Sequence, residues 1–262
     1  LNLENPALWR FDLPPVEPRL ASTVLCARTR NHTFEILLLK RPSGSAFASE
    51  QYVFPGGKVD PLDLSPEAEA LSIFPEPIPS HPPLSPLSPA TRKAIYRTAL
   101  RELAEEVGIL VTDQGIAGPC PERFETPQEF YRFLREKGLR LNPAHLVYWV
   151  NWVTPKPAPV RFDTHFFLLP LPPDVEPRKS SETVELIWLH PREALVKCSQ
   201  GEIELMFPTY KSLEQLTNLK TLDELLNFVA RFPKLRIEPV VSFSPESGFS
   251  IELPDTWPNP DP

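Results

Sequence analysis

Proline limits what this chain can build more tightly than any other residue. It fills 35 of 262 positions, against a usual share of about 5%. Its missing N–H and fixed φ keep it out of helix and sheet interiors. The prolines gather in LPPVEP (13–18), across residues 61–89 and in the tail DTWPNPDP, so regular elements are expected between these stretches. ASTVLCA (21–27) and TFEILLL (33–39) read as a strand pair around the polar turn RTRNH, and QYVF (51–54) as a short strand entering the bend FPGG. HLVYWVNWV (145–153), RFDTHFFLL (161–169) and VELIWL (184–189) read as further strands, and PREALVKC as a helix beginning at Pro191. After Gly201, MFPTYKSLEQL and TLDELLNFVARF suggest two helices, followed by a hairpin of EPVVSF and FSIEL around SPESG. Residues 61–90 contain PEPIPSHPPLSPLSP, which has no periodicity; they are expected to form an exposed, partly extended insertion.

The rest of the composition is that of an ordinary globular protein, 41% hydrophobic and 23% charged. A net charge of −7 argues against a nucleic-acid partner. No apolar run approaches the roughly 20 residues that span a bilayer, and the first residues lack a signal-peptide pattern. A cytoplasmic location without membrane contact is the expectation, and NPDP is no peroxisomal address. Cys26, Cys120 and Cys198 form no CxxC pair, and the five histidines show no zinc spacing. All of these are expected to be structural.

Residues 91–107 read as a strong helix, with Ile95, Ala99, Leu103 and Val107 recurring every four residues and Gly108 supplying the stop. Its last two turns carry Glu102, Glu105 and Glu106. Carboxylates are disfavoured at a helix C-terminus by roughly 0.3–1 kcal/mol each, and like charges at i, i+3 and i, i+4 add a similar penalty. At about 100° per residue the three share one face beside the apolar stripe, where a cleft would run. Two readings remain: a solvated helix end, or hard oxygen ligands for Mg²⁺ or Mn²⁺, with Arg101 steadying a carboxylate or meeting a phosphate.

FPGGKVD (54–60) adds paired glycines after a strand, which allow the backbone close to a ligand, the Gly56 carbonyl included. FPGG…RELAEEVGI resembles the Nudix signature, G-x5-E-x7-R-E-u-x-E-E-x-G-u, with u aliphatic. Arg101, Glu102, Leu103, Glu105, Glu106, Gly108 and Ile109 fill every specified position of its second half. In the first half Asp63 stands where the signature has Glu, and the gap to Arg101 is about thirty residues longer, coinciding with the proline-rich insertion. LLLKR (37–41), NWVTP (151–155), RFDT (161–164) and WLHPREAL (188–195) are similar to the branch of peroxisomal coenzyme A diphosphatases and their bacterial relatives. Ala46 and Glu50 replace the arginine and glycine of that branch's loop before FPGG.

The resemblance implies an α+β Nudix fold, a mixed β-sheet sandwiched between helices. The Nudix domain is expected over residues 1–200, with the insertion inside its signature and residues 201–262 packed on it as a helical extension and hairpin. It also implies metal-dependent hydrolysis of the diphosphate linkage in a nucleoside diphosphate derivative, coenzyme A or acyl-coenzyme A leading, with Mg²⁺ or Mn²⁺ as cofactor and a monomer or homodimer as the working form. ADP-ribose, nucleotide sugars or dinucleotides are the alternative substrates, and a catalytically silent nucleotide- or protein-binding module is the alternative class. By position, the Gly56 carbonyl, Glu102, Glu105 and Glu106 hold metal, a glutamate helps deprotonate water, and Arg101 orients a glutamate. Arg41 and Arg161 are candidate diphosphate contacts, against surface arginines. Asp163 either orients Arg161 or caps a turn. Glu182 is a candidate further metal ligand or base, against a solvated loop carboxylate. Trp149, Trp152, Phe166 and Phe167 are expected in the core.

Overall fold

The computed structural model describes residues 9–42, 50–180, 183–244, 246 and 248–258. In chain order come β1 (Arg19–Arg30), β2 (Thr33–Lys40), β3 (Tyr52–Val53), β4 (Gly56–Lys58), α1 (Pro66–Ala70), α2 (Pro89–Val107), β5 (Leu110–Thr112), β6 (Gly115–Ala117), α3 (Pro127–Lys137), β7 (Val147–Val153), β8 (Phe162–Pro170), β9 (Glu185–Leu189), α4 (Pro191–Ser199), α5 (Phe207–Glu214), α6 (Leu222–Arg231), β10 (Arg236–Ile237), β11 (Val240–Ser244) and β12 (Gly248–Glu252).

Eight strands form one mixed sheet along β10-β7-β8-β1-β2-β3, with β4 on β1 and β9 on β2. β1 is its hinge. Residues 21–23 pair with β4, residues 27–30 with β2, and residues 19–27 run parallel to β8. Successive side chains of a strand point to opposite faces. Val24 and Cys26 therefore enter a core closed by α2 and α3, while Leu25 and Ala27 enter a second core with Leu213, Leu225 and Val229 of α5 and α6. The sheet lies between helices, as the sequence implied. The C-terminal helices supply the cover of one face.

α2 starts two residues earlier than its periodicity suggested, because the Ser88 hydroxyl accepts from the Thr91 N–H at 3.1 Å. It stops at Gly108, whose φ of 67° lies in the left-handed region that glycine adopts without steric cost.

The inserted segment departs from expectation. It holds a 3₁₀ turn over Pro61–Leu64 and then α1, and Asp63, Ala68 and Leu84 are fully buried. The prolines explain the ordering: Pro61, Pro66 and Pro89 follow the capping residues Asp60, Ser65 and Ser88, and the first helical position needs no N–H donor. Arg97 of α2, 2% exposed, then ties the segment down through the Asp63 carbonyl (2.9 Å), the Ser72 hydroxyl (2.8 Å) and Glu69. α3, the β5–β6 hairpin and β10 add to the elements expected from the sequence.

Candidate active site

The turn that carries the paired glycines and the acidic end of α2 meet across a very small gap. A methyl group on Gly57 would run into the Glu102 carboxylate, and one on Gly56 into the Ser22 carbonyl. Only glycine lets β4 pass between β1 and α2 here. The Gly56 N–H donates to Glu106 Oε2 at 2.8 Å, which fixes that carboxylate against the bend.

The positive charge that the acidic helix end demands is present within the protein. Arg101 Nη1 donates to Glu102 Oε1 and to Glu105 Oε2, both at 2.8 Å. Its Nε and Nη2 donate to the Asp63 carboxylate at 3.0 and 2.9 Å, and Nη2 also to the Lys58 carbonyl at 3.1 Å. Arg101 is 2% exposed and Asp63 fully buried, a two-point arginine–carboxylate contact of the strong kind. Burial works against the guanidinium's charge, and Glu102, Asp63 and Glu105 more than offset it, so it stays firmly cationic. Asp63 thus meets Arg101 despite the long gap, because the insertion loops out and returns.

Glu105 retains an unusual environment. Burial, against the pull of Arg101 and with the push of Glu102 and Asp63, raises its pKa to about 8. Its Oε1 is buried without a hydrogen-bond partner, which costs free energy unless a proton or cation meets it. Among the described residues no three His, Cys, Asp or Glu side chains form a ready metal cage; the carboxylates turn instead to Arg101 and the Gly56 amide.

A cavity of about 550 Å³ opens beside this ridge. Gly56, Gly57, Lys58, Arg101, Glu102, Glu105 and Glu106 line one side; Trp152, Phe162, Phe166, Met206, Phe207 and Pro239 line others. The acidic wall comes from α2 and β4. The apolar wall is built by β7, β8 and the start of α5, with Trp152 and Phe207 in edge-on contact at 6.2 Å.

Of the expected contact residues, Arg41 reaches the cavity lining, with its Nε buried and without a partner among the described residues. Arg161 and Asp163 require correction. Arg161, 6% exposed, donates to the Thr154 carbonyl (2.9 Å), the Val16 carbonyl (2.8 Å) and Glu238 (2.6 Å). Asp163 accepts from Asn151 (2.6 Å) and Arg236 (3.0 Å). The cause is strand parity: Phe162, Thr164 and Phe166 of β8 line the cavity, which turns the odd-numbered neighbours away. Glu182 and Ala46 lie outside the described residues. Glu50 holds a φ of 60°, the left-handed conformation that glycine accepts without strain. Trp149 and Phe167 are core residues, as expected, whereas Trp152 and Phe166 are both buried and cavity-lining.

Two contributors escaped the sequence reading. Thr98 and Tyr131 donate their hydroxyls to the Asp63 carboxylate at 2.6 and 2.7 Å. A signal for the second was present. Thr126-Pro127-x-Glu129 is a helix start, and Phe130, Tyr131 and Leu134 form a buried stripe behind it.

No family model matches the chain. The acyl-coenzyme A diphosphatase NUDT19 of Gallus gallus is 29% identical over 245 residues, covering 74% of this chain and 64% of that protein. The Homo sapiens protein of the same name is 30% identical over 244 residues, with the same two coverages. The chain thus spans a little under two thirds of the length of these relatives. A crystal structure of a Nudix hydrolase from Alicyclobacillus acidocaldarius superimposes with a TM-score of 0.66 at 26% identity, covering 83% of this chain and 99% of that one. Similarity in sequence to the curated relatives and in fold to that crystal structure leads to one conclusion: the chain has the Nudix fold and resembles Nudix hydrolases in sequence.

Proposed function

We propose that this protein is a divalent-cation-dependent hydrolase of the diphosphate linkage in a nucleoside diphosphate derivative, with coenzyme A or acyl-coenzyme A the leading substrate. One observation carries the reading: three carboxylates and a paired-glycine bend face the same cavity as an aromatic wall. A diphosphate joining a polar and a planar or apolar moiety suits such a two-sided site. The names of the Gallus gallus and Homo sapiens relatives support the choice of acyl-coenzyme A.

The donor set fits Mg²⁺ or Mn²⁺. Glu102, Glu105 and Glu106 offer only oxygen, Glu105 Oε1 is buried without a partner, and Gly57 leaves the Glu102 carboxylate flush against the backbone. Those three side chains and the Gly56 carbonyl would hold the ion, which when bound neutralises phosphate charge and acidifies a coordinated water. The chain's own residues do the remaining work. Arg101 orients Glu102 and Glu105, and one of the glutamates helps to deprotonate the attacking water. Arg41 lies at the lining to meet a phosphate oxygen. Trp152, Phe166 and Phe207 exclude water and pack the base or acyl portion.

The rival reading, a silent binding module, draws on the ion pairs that already occupy Glu102 and Glu105. A panel of coenzyme A, acyl-coenzyme A, ADP-ribose, nucleotide sugars and dinucleotides, with and without Mg²⁺ and with products identified, separates the readings. Cleavage of coenzyme A to its two phosphate-bearing halves is expected. An absence of metal-dependent turnover on every compound would favour the silent module.

A further inference from the structure

Asp63 is fully buried and takes five donors. Its Oδ1 accepts from Arg101 Nε at 3.0 Å and the Tyr131 hydroxyl at 2.7 Å. Its Oδ2 accepts from the Asp60 N–H at 3.0 Å, the Thr98 hydroxyl at 2.6 Å and Arg101 Nη2 at 2.9 Å. A carboxylate has about four lone-pair sites, so this one is saturated and cannot rotate without losing a partner. A guanidinium is planar. Fixing Nε and Nη2 on Asp63 therefore sets the direction of Nη1, and Nη1 is the nitrogen that holds Glu102 and Glu105.

Asp60 and Thr98 belong to the same turn and helix as Asp63 and Arg101. Tyr131 does not. It comes from α3, outside the signature, and reaches a carboxylate one methylene shorter than the glutamate the signature specifies. The same helix places Pro127 at the cavity lining. Burial, then the charge of Asp63, raises the phenol's pKa well above its ordinary value, so Tyr131 keeps its proton and remains a donor.

We propose that Tyr131 is a positioning residue for hydrolysis: its hydroxyl fixes Asp63, Asp63 fixes Arg101, and Arg101 fixes the carboxyl groups of Glu102 and Glu105. This rests on the reading of those glutamates as cation ligands. Partners that orient metal ligands typically change affinity or activity 10- to 100-fold when removed.

The variant Tyr131→Phe keeps the ring and removes the hydroxyl. Calorimetric Mn²⁺ affinity is expected to fall about 10-fold and kcat by a similar factor, with KM for the diphosphate substrate nearly unchanged. The control is Leu225→Ala, which loosens the core on the opposite face of the sheet without touching Tyr131 or Asp63. It should lower Tm while leaving Mn²⁺ affinity and kcat alone. A Tyr131→Phe protein with wild-type affinity and turnover overturns the proposal, as does a Leu225→Ala protein showing the same losses. Fluorotyrosine-labelled wild-type protein gives a readout that needs no variant to fold. The resonance of Tyr131 should shift on adding Mg²⁺, and five unmoved tyrosine resonances would overturn it. Wild-type protein that neither binds Mn²⁺ nor cleaves any diphosphate removes the functional reading underneath. A competent wild type with an indifferent Tyr131→Phe removes only the role of Tyr131.

Discussion

On the α2 side of the sheet the interior contains Asp63, Arg97 and Arg101, none more than 2% exposed. On the α5–α6 side, Leu213, Leu216, Leu225 and Val229 close over Trp149, Leu38 and Leu168. Both sides exclude water, yet they do so on different physical terms. Apolar packing is non-directional and tolerates volume-conserving change. A buried arginine–carboxylate network has a high desolvation cost and is satisfied only in one geometry. The charged side therefore holds the glutamates in place, while the apolar side serves chiefly to stabilise. The cavity lies where the two kinds of wall meet.

Removing Asp63 tests this contrast most severely. Asp63→Ala leaves Arg101 buried with two donors stripped of their acceptor, and should destabilise the protein by about 3–5 kcal/mol in urea unfolding. A loss below about 1 kcal/mol would mean that water enters and the network is not dry. Next comes Glu106→Gln, which keeps an acceptor for the Gly56 N–H but removes a charge from the ridge. Metal-dependent turnover should drop about 10²–10³-fold, with the unfolding midpoint little moved; near-wild-type turnover would detach the acidic ridge from catalysis. On the other face, Leu225→Ala should cost about 3 kcal/mol of stability and leave kcat at temperatures below Tm unchanged. A parallel fall in kcat would show that the apolar face also sets the site's geometry.

The smallest effect concerns His165, 1% exposed, whose Nδ1 lies 2.9 Å from the Tyr148 hydroxyl. Burial holds its pKa below the ordinary imidazole value, against the nearby Asp163 carboxylate and with Arg236 adding to the depression. A depressed folded-state value means the unfolded chain takes up a proton first. Stability is thus full above about pH 6.5 and falls as pH drops below it, by at most about 1.4 kcal/mol per unit. Unfolding curves of wild type and His165→Gln, compared between pH 7 and 5, should differ in slope by that amount or less; equal slopes would show that His165 titrates normally.

Much of the site could be read along the chain. The four-residue recurrence of Ile95, Ala99, Leu103 and Val107 locates α2, and Gly108 ends it with a φ of 67°. Glu102, Glu105 and Glu106 do share the cavity face. The insertion was harder, because prolines that forbid helix interiors also start helices, as Pro61, Pro66 and Pro89 do. Arg161 was misplaced because a strand's period is two, and an RFDT motif does not reveal which parity faces the cleft. α3 had both a cap signal and an apolar stripe, and its importance shows only in the contact between Tyr131 and Asp63.

Local order along the chain was therefore enough to predict a conflict: three like charges on one helical face, at an end where carboxylates are disfavoured, to be met by water or by a cation. It also offered Arg101, one residue away, as a partner for either a carboxylate or a phosphate. What it left open was where that arginine is anchored and which hydroxyls hold the anchor, since Asp63 and Tyr131 lie 38 and 30 positions from Arg101 along the chain. Helical and strand periods report neighbours a few residues apart, whereas Coulomb and hydrogen-bond terms depend on distance through space. Folding brings those groups together, and with them the direction in which the glutamates point.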